Sequence, residues 1–226
     1  MILFEGVTKE YPDGTRALED VDLHIKSGEF VFLVGPSGSG KTTVVKLMIR
    51  EQLPTAGDIK IDDLEVLRLK RRELPRLRRK VGIVFQEFRL LPARTAFENV
   101  AVALGVVGKT RSEIEAIVPN VLQMVGLGER SHLFPYQLSG GEKQKLAIAR
   151  ALSHEPEILV ADEPTGMIDP ASTWEVVELL KKINSWGTTV LVATHDAEVV
   201  NSLEKRVVRL EKGRVVTDKK KGSYGR

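Results

Sequence analysis

Gly35-Pro36-Ser37-Gly38-Ser39-Gly40-Lys41-Thr42 is the stretch of sequence that decides the fold of this chain. It matches Gly-x4-Gly-Lys-Ser/Thr, a pattern whose glycines let backbone N–H groups turn inward around an anion. The apolar run 30–34 precedes it, and 43–50, which suits a helix, follows it. Because strand, glycine loop and helix is the context that the pattern requires, we expect a phosphate site here rather than an ordinary turn.

The loop predicts a role for each of its residues. Lys41 would reach the β- and γ-phosphates of a nucleotide, and the Thr42 hydroxyl would bind Mg²⁺. The N-terminus of the following helix adds the positive end of its dipole. The predicted nucleotide-binding residues of the loop are Gly35, Pro36, Ser37, Gly38, Ser39, Gly40, Lys41, Thr42 and Thr43.

Composition describes an ordinary globular protein. The chain has 226 residues, of which 42% are hydrophobic and 29% are charged, and it has no cysteine. The first residues lack the pattern of a signal peptide, and no apolar run approaches the ~20 residues that span a bilayer. A net charge of only +3 does not by itself indicate nucleic-acid binding. We therefore expect a cytoplasmic protein with no nucleic-acid partner.

The order of patterns predicts a single α/β domain over 1–226 that carries two subdomains. Strand patterns at 1–8, 20–26 and 58–61 surround the glycine loop, and further strand patterns follow Pro156. Helical patterns occupy 87–154, where Pro119 should kink or restart a helix. We thus predict a core with a β subdomain over 1–86 and 155–217, a helical subdomain over 87–154, and a frayed basic tail over 218–226.

Four apolar runs stop at residues that are able to do phosphate chemistry. They end at Gly35, at Gln86, at the pair Asp162-Glu163 and at His195. If the four strands are parallel neighbours, these groups meet outside the carboxyl ends of the strands, where α/β sheets bind ligands. Each of these residues alone could simply be a polar residue that follows a strand. The prediction therefore depends on their common position at the carboxyl ends of the strands.

Together, these residues predict hydrolysis of a nucleotide. Asp162 would hold Mg²⁺, which keeps much of its hydration in proteins. Glu163 would orient or deprotonate the attacking water. His195 would bridge to the γ-phosphate, and Gln86 would contact both Mg²⁺ and the attacking water. The predicted metal ligands are therefore Thr42, Gln86 and Asp162, and the predicted catalytic residues are Glu163, His195 and Gln86.

Leu138-Ser139-Gly140-Gly141-Glu142 is the second informative stretch. Ser139 and Glu142 have the spacing of a capping box at a helix N-terminus, and a simple cap is the alternative interpretation. Gly140 and Gly141 remove side chains from the first turn and expose N–H groups, which predicts a second anion site.

In its motifs the chain resembles the ABC-type ATPases over nearly its whole length. The motifs are Walker A at 35–42, the Q-loop at Gln86, the signature at 138–142, Walker B at 158–163, the D-loop at 166–169 and the switch histidine at His195. The resemblance implies a P-loop NTPase (RecA-like) core with an N-terminal antiparallel β subdomain and an inserted α-helical subdomain. It implies ATP and Mg²⁺ as ligands and Tyr11 as the aromatic residue on adenine. It also implies a head-to-tail homodimer in which Ser139, Gly140, Gly141 and Glu142 of one subunit close over ATP held by the other.

Within that family, 86–92 and 95–100 resemble the ATPases of bacterial cell division. This implies an FtsX-like integral membrane partner, control of cell-wall hydrolases and a peripheral location at the inner face of the membrane. ATPases of lipoprotein-releasing or macrolide-type exporters share the same motifs and remain an alternative. A soluble DNA-associated ABC ATPase and a nucleotide-sensing scaffold are less favoured, because there is no long heptad array and because Glu163 is present.

Two surfaces are candidates for partner contacts. The segment 68–80 is strongly basic and is either a solvated face or a contact with an acidic partner or an anionic membrane. Phe88, Leu90 and Leu91 follow Gln86 and either form an exposed apolar contact surface or pack into the helical subdomain.

Overall fold

Ten strands and seven α-helices form within residues 1–225, the part of the chain that the computed structural model describes. The strands are β1 (Ile2–Glu10), β2 (Arg16–Ile25), β3 (Phe30–Val34), β4 (Ala56–Ile61), β5 (Leu64–Glu65), β6 (Val81–Val84), β7 (Ile158–Asp162), β8 (Thr189–Thr194), β9 (Arg206–Glu211) and β10 (Arg214–Lys219). The helices are α1 (Lys41–Met48), α2 (Leu74–Lys80), α3 (Ala96–Val106), α4 (Arg111–Met124), α5 (Gly140–Leu152), α6 (Pro170–Ser185) and α7 (Ala197–Ser202).

A six-stranded sheet in the order β10-β9-β3-β8-β7-β6 forms the centre of the α/β core. Parallel pairing joins β6 to β7, β7 to β8, β8 to β3 and β3 to β9, and only β10 is antiparallel. Every residue of β3, β7 and β8 is buried, because helices or the second sheet cover both faces. The predicted parallel arrangement of the four strands that end in polar residues is confirmed.

A second, antiparallel sheet in the order β2-β1-β4-β5 forms the predicted N-terminal β subdomain. Its strands alternate between buried and exposed residues, as in Val21, Leu23 and Ile25 of β2. The buried side chains of this sheet share one apolar core with α1 and with one face of the central sheet. The fold class predicted from the sequence is therefore confirmed.

Helices α3, α4 and α5 pack on one another and form the predicted helical subdomain. Of the kink or restart expected at Pro119, the restart is wrong, since α4 continues through this residue to Met124. Pro119 lies on the exposed side of α4, where water can bind the carbonyl group that loses its N–H donor. The helix ends at Met124, and the φ of 77° at Gly126 turns the chain so that the Leu127 N–H bonds the Leu122 carbonyl.

The basic segment 68–80 folds as a short 3₁₀ turn followed by α2. Leu77 is fully buried beneath it, while most of its arginine side chains are exposed. The Lys80 ammonium lies 2.6 Å from Glu157, and this contact, together with the charges of Asp62 and Asp63, raises the pKa of Lys80. Part of the charge run is thus a structural ion-pair network on a solvated helix.

The prediction of a frayed tail is wrong for residues 218–225. Asp218 and Lys219 belong to β10, and Asp218 forms an ion pair of 2.6 Å with Arg206. Farther on, the Asn201 side chain accepts a hydrogen bond of 2.9 Å from the Tyr224 N–H and donates one of 3.0 Å to the Tyr224 carbonyl. This amide pairs with both backbone groups of Tyr224 and anchors the segment to α7. The last residue of the predicted tail, Arg226, lies outside the described residues.

Within residues 1–225, no helix combines the length and the apolar character that crossing a bilayer requires.

Candidate nucleotide-binding site

A cleft of about 460 Å³ opens at the carboxyl ends of the parallel strands. Its walls are the phosphate loop from Ser37 to Thr43, the segment from Thr15 to Ala17, and three side chains at strand ends, those of Gln86, Glu163 and His195. The structure therefore brings together four of the sequence-predicted groups that end separate strands. The parallel sheet causes this convergence, since β3, β8, β7 and β6 deliver their last residues to the same edge.

Two positions of the phosphate loop require glycine because backbone atoms of other segments lie too close for a side chain. Gly40 has φ of 108°, and a methyl group there would lie 2.6 Å from the Ala17 carbonyl oxygen. A methyl group at Gly35 would overlap the Leu210 carbonyl oxygen. The loop is thus fixed between the β9–β10 hairpin and the start of β2, with α1 beginning at Lys41.

The Lys41 side chain is 7% exposed and lies across the mouth of its own loop. Its ammonium group donates hydrogen bonds to the Gly35 carbonyl at 2.8 Å and to the Pro36 carbonyl at 3.3 Å. It also lies 3.5 Å from the Glu163 carboxylate. A cation is therefore held at the phosphate loop, as recognition of a nucleotide phosphate requires.

Asp162 is the last residue of β7 and is 7% exposed. Burial raises the pKa of its carboxyl group, and the nearby Thr42 hydroxyl opposes that rise. The buried oxygen Oδ1 has no hydrogen-bond donor within the described part of the chain. An unpaired buried carboxylate oxygen close to a threonine hydroxyl fits a hard divalent cation such as Mg²⁺.

That cation would need further ligands from a bound nucleotide. Residues 1–225 hold no group of three or more His, Cys, Asp or Glu side chains placed to bind a metal alone. The site therefore suits Mg²⁺ that arrives with phosphate oxygens, and Thr42 and Asp162 would supply protein ligands.

Glu163 and His195 form a close pair at the ends of β7 and β8. Glu163 Oε1 lies 2.9 Å from His195 Nδ1, and the His195 N–H donates to Oε2 at 3.3 Å. Glu163 has φ of 49°, a left-handed conformation that turns its side chain into the cleft instead of along the strand. Its side chain is 13% exposed, whereas that of His195 is 65% exposed. The pair thus places a carboxylate beside Lys41, with an exposed imidazole next to it.

Gln86 lies two residues beyond the end of β6 and lines the cleft with an exposed side chain. Its amide nitrogen lies close to Gly166, where an added methyl group would approach it to 3.3 Å. Gln86 thus connects the start of the helical subdomain with the loop that follows Glu163.

The predicted adenine residue, Tyr11, lies beside the cleft and not on its wall. The Tyr11 hydroxyl is 3.4 Å from Thr43 Oγ1, and Lys9 lies over its ring at 5.1 Å from the centroid. The neighbouring wall residues Thr15, Arg16 and Ala17 were missed by sequence reasoning. No local pattern marks them, because only the packing of β2 against the phosphate loop brings them to the site.

The signature stretch forms the N-terminus of α5, away from the walls of the cleft. The predicted capping box is present, with the Ser139 N–H donating to Glu142 at 2.8 Å and the Glu142 N–H donating to Ser139 Oγ at 3.2 Å. Ser139 is exposed, while Gly141 is buried against α6. A methyl group at Gly141 would lie 2.5 Å from Ser172 Cβ, so intramolecular packing already requires this glycine.

The expected apolar surface after Gln86 is largely internal. Phe88 and Leu90 are partly buried and pack against the core of the helical subdomain, whereas Leu91 is 39% exposed. Arg150 fixes this segment by donating to the carbonyl groups of Phe88 and Arg89. The packing alternative therefore holds for Phe88 and Leu90.

Comparison with known proteins agrees with this geometry. The family described as "ABC transporter" matches residues 18–166. The cell division ATP-binding protein FtsE of Bacillus subtilis (strain 168) is 48% identical over 225 residues, covering 100% of this chain and 99% of that protein. The protein of the same name from Mycobacterium tuberculosis (strain ATCC 25618 / H37Rv) is 48% identical over 226 residues, covering 100% of this chain and 98% of that protein.

A solved structure described as a dimeric post-hydrolysis state of the ATP-binding cassette MJ0796 bound to ADP and Pi is also similar. It is 38% identical in sequence, with a TM-score of 0.89, and covers 99% of this chain and 100% of that chain.

Proposed function

This chain belongs to the ABC transporter family and is an ATPase, and from that premise we propose that it drives a membrane partner in bacterial cell division. The full-length similarity to the FtsE proteins supports the cell-division role. The observation that best supports hydrolysis at this site is the contact between Glu163 and His195 in the cleft. The Glu163 carboxylate also lies 3.5 Å from the Lys41 ammonium group.

We assign the chemical roles as follows. Lys41 and the N–H groups from Gly35 to Thr43 bind the phosphates, and Tyr11 contacts adenine. Glu163 orients the attacking water and accepts its proton, while His195 holds Glu163 in place and contacts the γ-phosphate.

Thr42, Gln86 and Asp162 form the metal-binding side of the site. When bound with ATP, Mg²⁺ neutralises charge on the phosphates and orients them. Gln86 reports the state of the nucleotide to the helical subdomain, because it is joined to the segment that Arg150 anchors.

Two copies of the chain would close head to tail on two ATP molecules. The N-terminus of α5 does not line the cleft of its own chain, so it is available to the site of the partner copy. The residues that would complete that site are Ser139, Gly140, Gly141 and Glu142. The dimeric state of the similar cassette supports this arrangement. Closure would move the helical subdomain, and an FtsX-like integral membrane protein would transmit that movement to cell-wall hydrolases. The chain would thus act at the inner face of the membrane as a peripheral subunit.

Glu163→Gln tests the mechanism. The amide preserves the shape of the side chain but cannot accept a proton, so we expect ATP to bind, hydrolysis to fall by a factor of about 10² or more, and an ATP-bound dimer to accumulate. Size-exclusion chromatography with ATP gives the oligomeric state. A variant that binds ATP yet stays monomeric would contradict the dimer. Lys41→Ala is the matched control and should abolish nucleotide binding.

The cellular role has a separate test. Depletion of the protein in its own host should give chained cells, and affinity purification should recover a membrane protein with four helices and one extracytoplasmic domain. Normal septation together with a defect in export would contradict the cell-division role.

A further inference from the structure

Arg16 is a cleft residue to which the site described above assigns no role. It begins β2 and lines the cleft beside Thr15 and Ala17. Among the described residues that line the cleft, the permanently charged cations are Arg16 and Lys41. Lys41 is almost fully buried, whereas the Arg16 side chain is 53% exposed.

The backbone of Arg16 is fixed relative to the phosphate loop. The carbonyl group of the next residue, Ala17, touches Gly40 so closely that no side chain fits there. On the other side, the Gly213 N–H donates to the Ser39 carbonyl, and the Glu19 N–H donates to the Gly213 carbonyl. Any guanidinium group that projects from residue 16 therefore stays within reach of a ligand on the loop.

The present partners of Arg16 hold it weakly. Its guanidinium group lies 3.3 Å from Glu10 and 3.4 Å from Glu19, and both contacts are exposed. Glu19 has a closer partner in Arg214 at 2.6 Å, and the hydrogen bond with Arg214 is the main reason why the pKa of Glu19 is lowered. Exposed ion pairs of this length contribute little to stability, so a multiply charged phosphate group can displace them.

We propose that Arg16 is a nucleotide-binding residue, which leaves Glu10 and contacts the phosphate chain of a bound nucleoside di- or triphosphate. The proposal rests on the proposed function of the cleft and adds a second cation to the cleft that Lys41 lines. A guanidinium group suits this task because it donates two parallel hydrogen bonds to phosphate oxygens. Arg16 would act on affinity, since its hydrogen bonds go to Glu10 and Glu19 and not to the Glu163–His195 pair.

The test compares Arg16→Ala, Arg16→Lys and wild type by calorimetric titration of the full chain with ATP, ADP and adenosine. We expect Arg16→Ala to weaken ATP and ADP binding by about 5- to 20-fold and Arg16→Lys to restore part of that loss. Adenosine affinity should change less than about 2-fold, since it has no phosphate group. Arg111→Ala is the matched control, because Arg111 is 92% exposed and pairs with Glu115 on α4.

Glu10→Gln adds a second measurement that a merely structural role would not affect. Removal of the competing carboxylate should tighten ATP binding in the wild-type background and have a smaller effect when Arg16 is already alanine. Equal effects of Glu10→Gln in both backgrounds would overturn the proposal.

The outcomes separate this proposal from the proposed function. If wild-type protein binds no ATP, the proposed function fails. If wild type binds ATP, Lys41→Ala abolishes binding and Arg16→Ala binds like wild type, only the assignment of Arg16 is overturned. A loss of adenosine affinity as large as the loss of ATP affinity would also overturn it, since that result indicates a distorted cleft wall.

Discussion

Replacement of Gly141 by alanine tests whether packing between α5 and α6 sets the position of the signature stretch. The added methyl group would lie 2.5 Å from Ser172 Cβ, whereas non-bonded carbon atoms prefer about 3.5–4.0 Å. The first turn of α5 must therefore move away from α6 by roughly 1 Å.

The expected cost follows from two opposing effects. Overpacking of this kind destabilises a protein by about 1–3 kcal/mol. Alanine in place of glycine favours a helix by about 0.5–1 kcal/mol. We therefore expect Gly141→Ala to lower the free energy of unfolding by about 0.5–2 kcal/mol in urea denaturation followed by circular dichroism.

Gly105→Ala is the matched control. Gly105 lies in α3, and an added methyl group there has no neighbour within 4 Å. The substitution should leave stability unchanged or raise it by up to about 1 kcal/mol.

A double-mutant cycle with Ser172→Gly gives the decisive result. Ser172 donates to Asp169 at 2.6 Å, so its loss alone should destabilise α6. In that background the space for a methyl group exists, and Gly141→Ala should become neutral or stabilising. Equal effects of Gly141→Ala in both backgrounds would refute the packing argument. A clear coupling would mean that low ATPase activity of Gly141→Ala cannot be assigned to a lost nucleotide contact alone.

Three further predictions concern stability. Burial, helped by the charge of Arg79, lowers the pKa of His154, so below about pH 6.5 the unfolded chain binds a proton that the folded chain does not. The free energy of unfolding should therefore decrease as the pH is lowered, and His154→Gln should reduce that decrease in denaturation series from pH 5 to 8. Asn201→Ala should cost about 1–2 kcal/mol and speed amide exchange at Tyr224, because two hydrogen bonds hold that residue; unchanged exchange would argue against the anchor. Pro119→Ala should raise the free energy of unfolding by about 1–3 kcal/mol, since the new N–H can complete α4, and a loss of stability would contradict the solvent-side explanation.

The chemistry of the site was predictable because its residues come directly after apolar strands in the sequence. The positions of Gln86, Glu163 and His195 relative to the phosphate loop needed only two facts, that each ends an apolar run and that the runs are parallel neighbours. A local pattern also predicted the capping box of Ser139.

Features that depend on contacts between distant segments were not predictable. The wall at 15–17 exists because Ala17 touches Gly40, and Gly141 is constrained by Ser172, 31 positions later in the numbering of the chain. The ordered tail depends on the side chain of Asn201, which no periodic pattern marks. Continuation of α4 through Pro119 depended on exposure, which a helical pattern alone does not give.

The place of β3 in the central sheet also has a consequence for biosynthesis. This strand, which leads into the phosphate loop, pairs with β8 on one side and β9 on the other, and residues 189–211 emerge from the ribosome long after it. At ~5–20 residues per second, both edges of β3 stay without their native neighbours for about 8–35 s. Unpaired apolar edges attract other strands, so the nascent chain needs protection from aggregation during that interval. The first functional motif to be translated is therefore among the last to reach its native pairing.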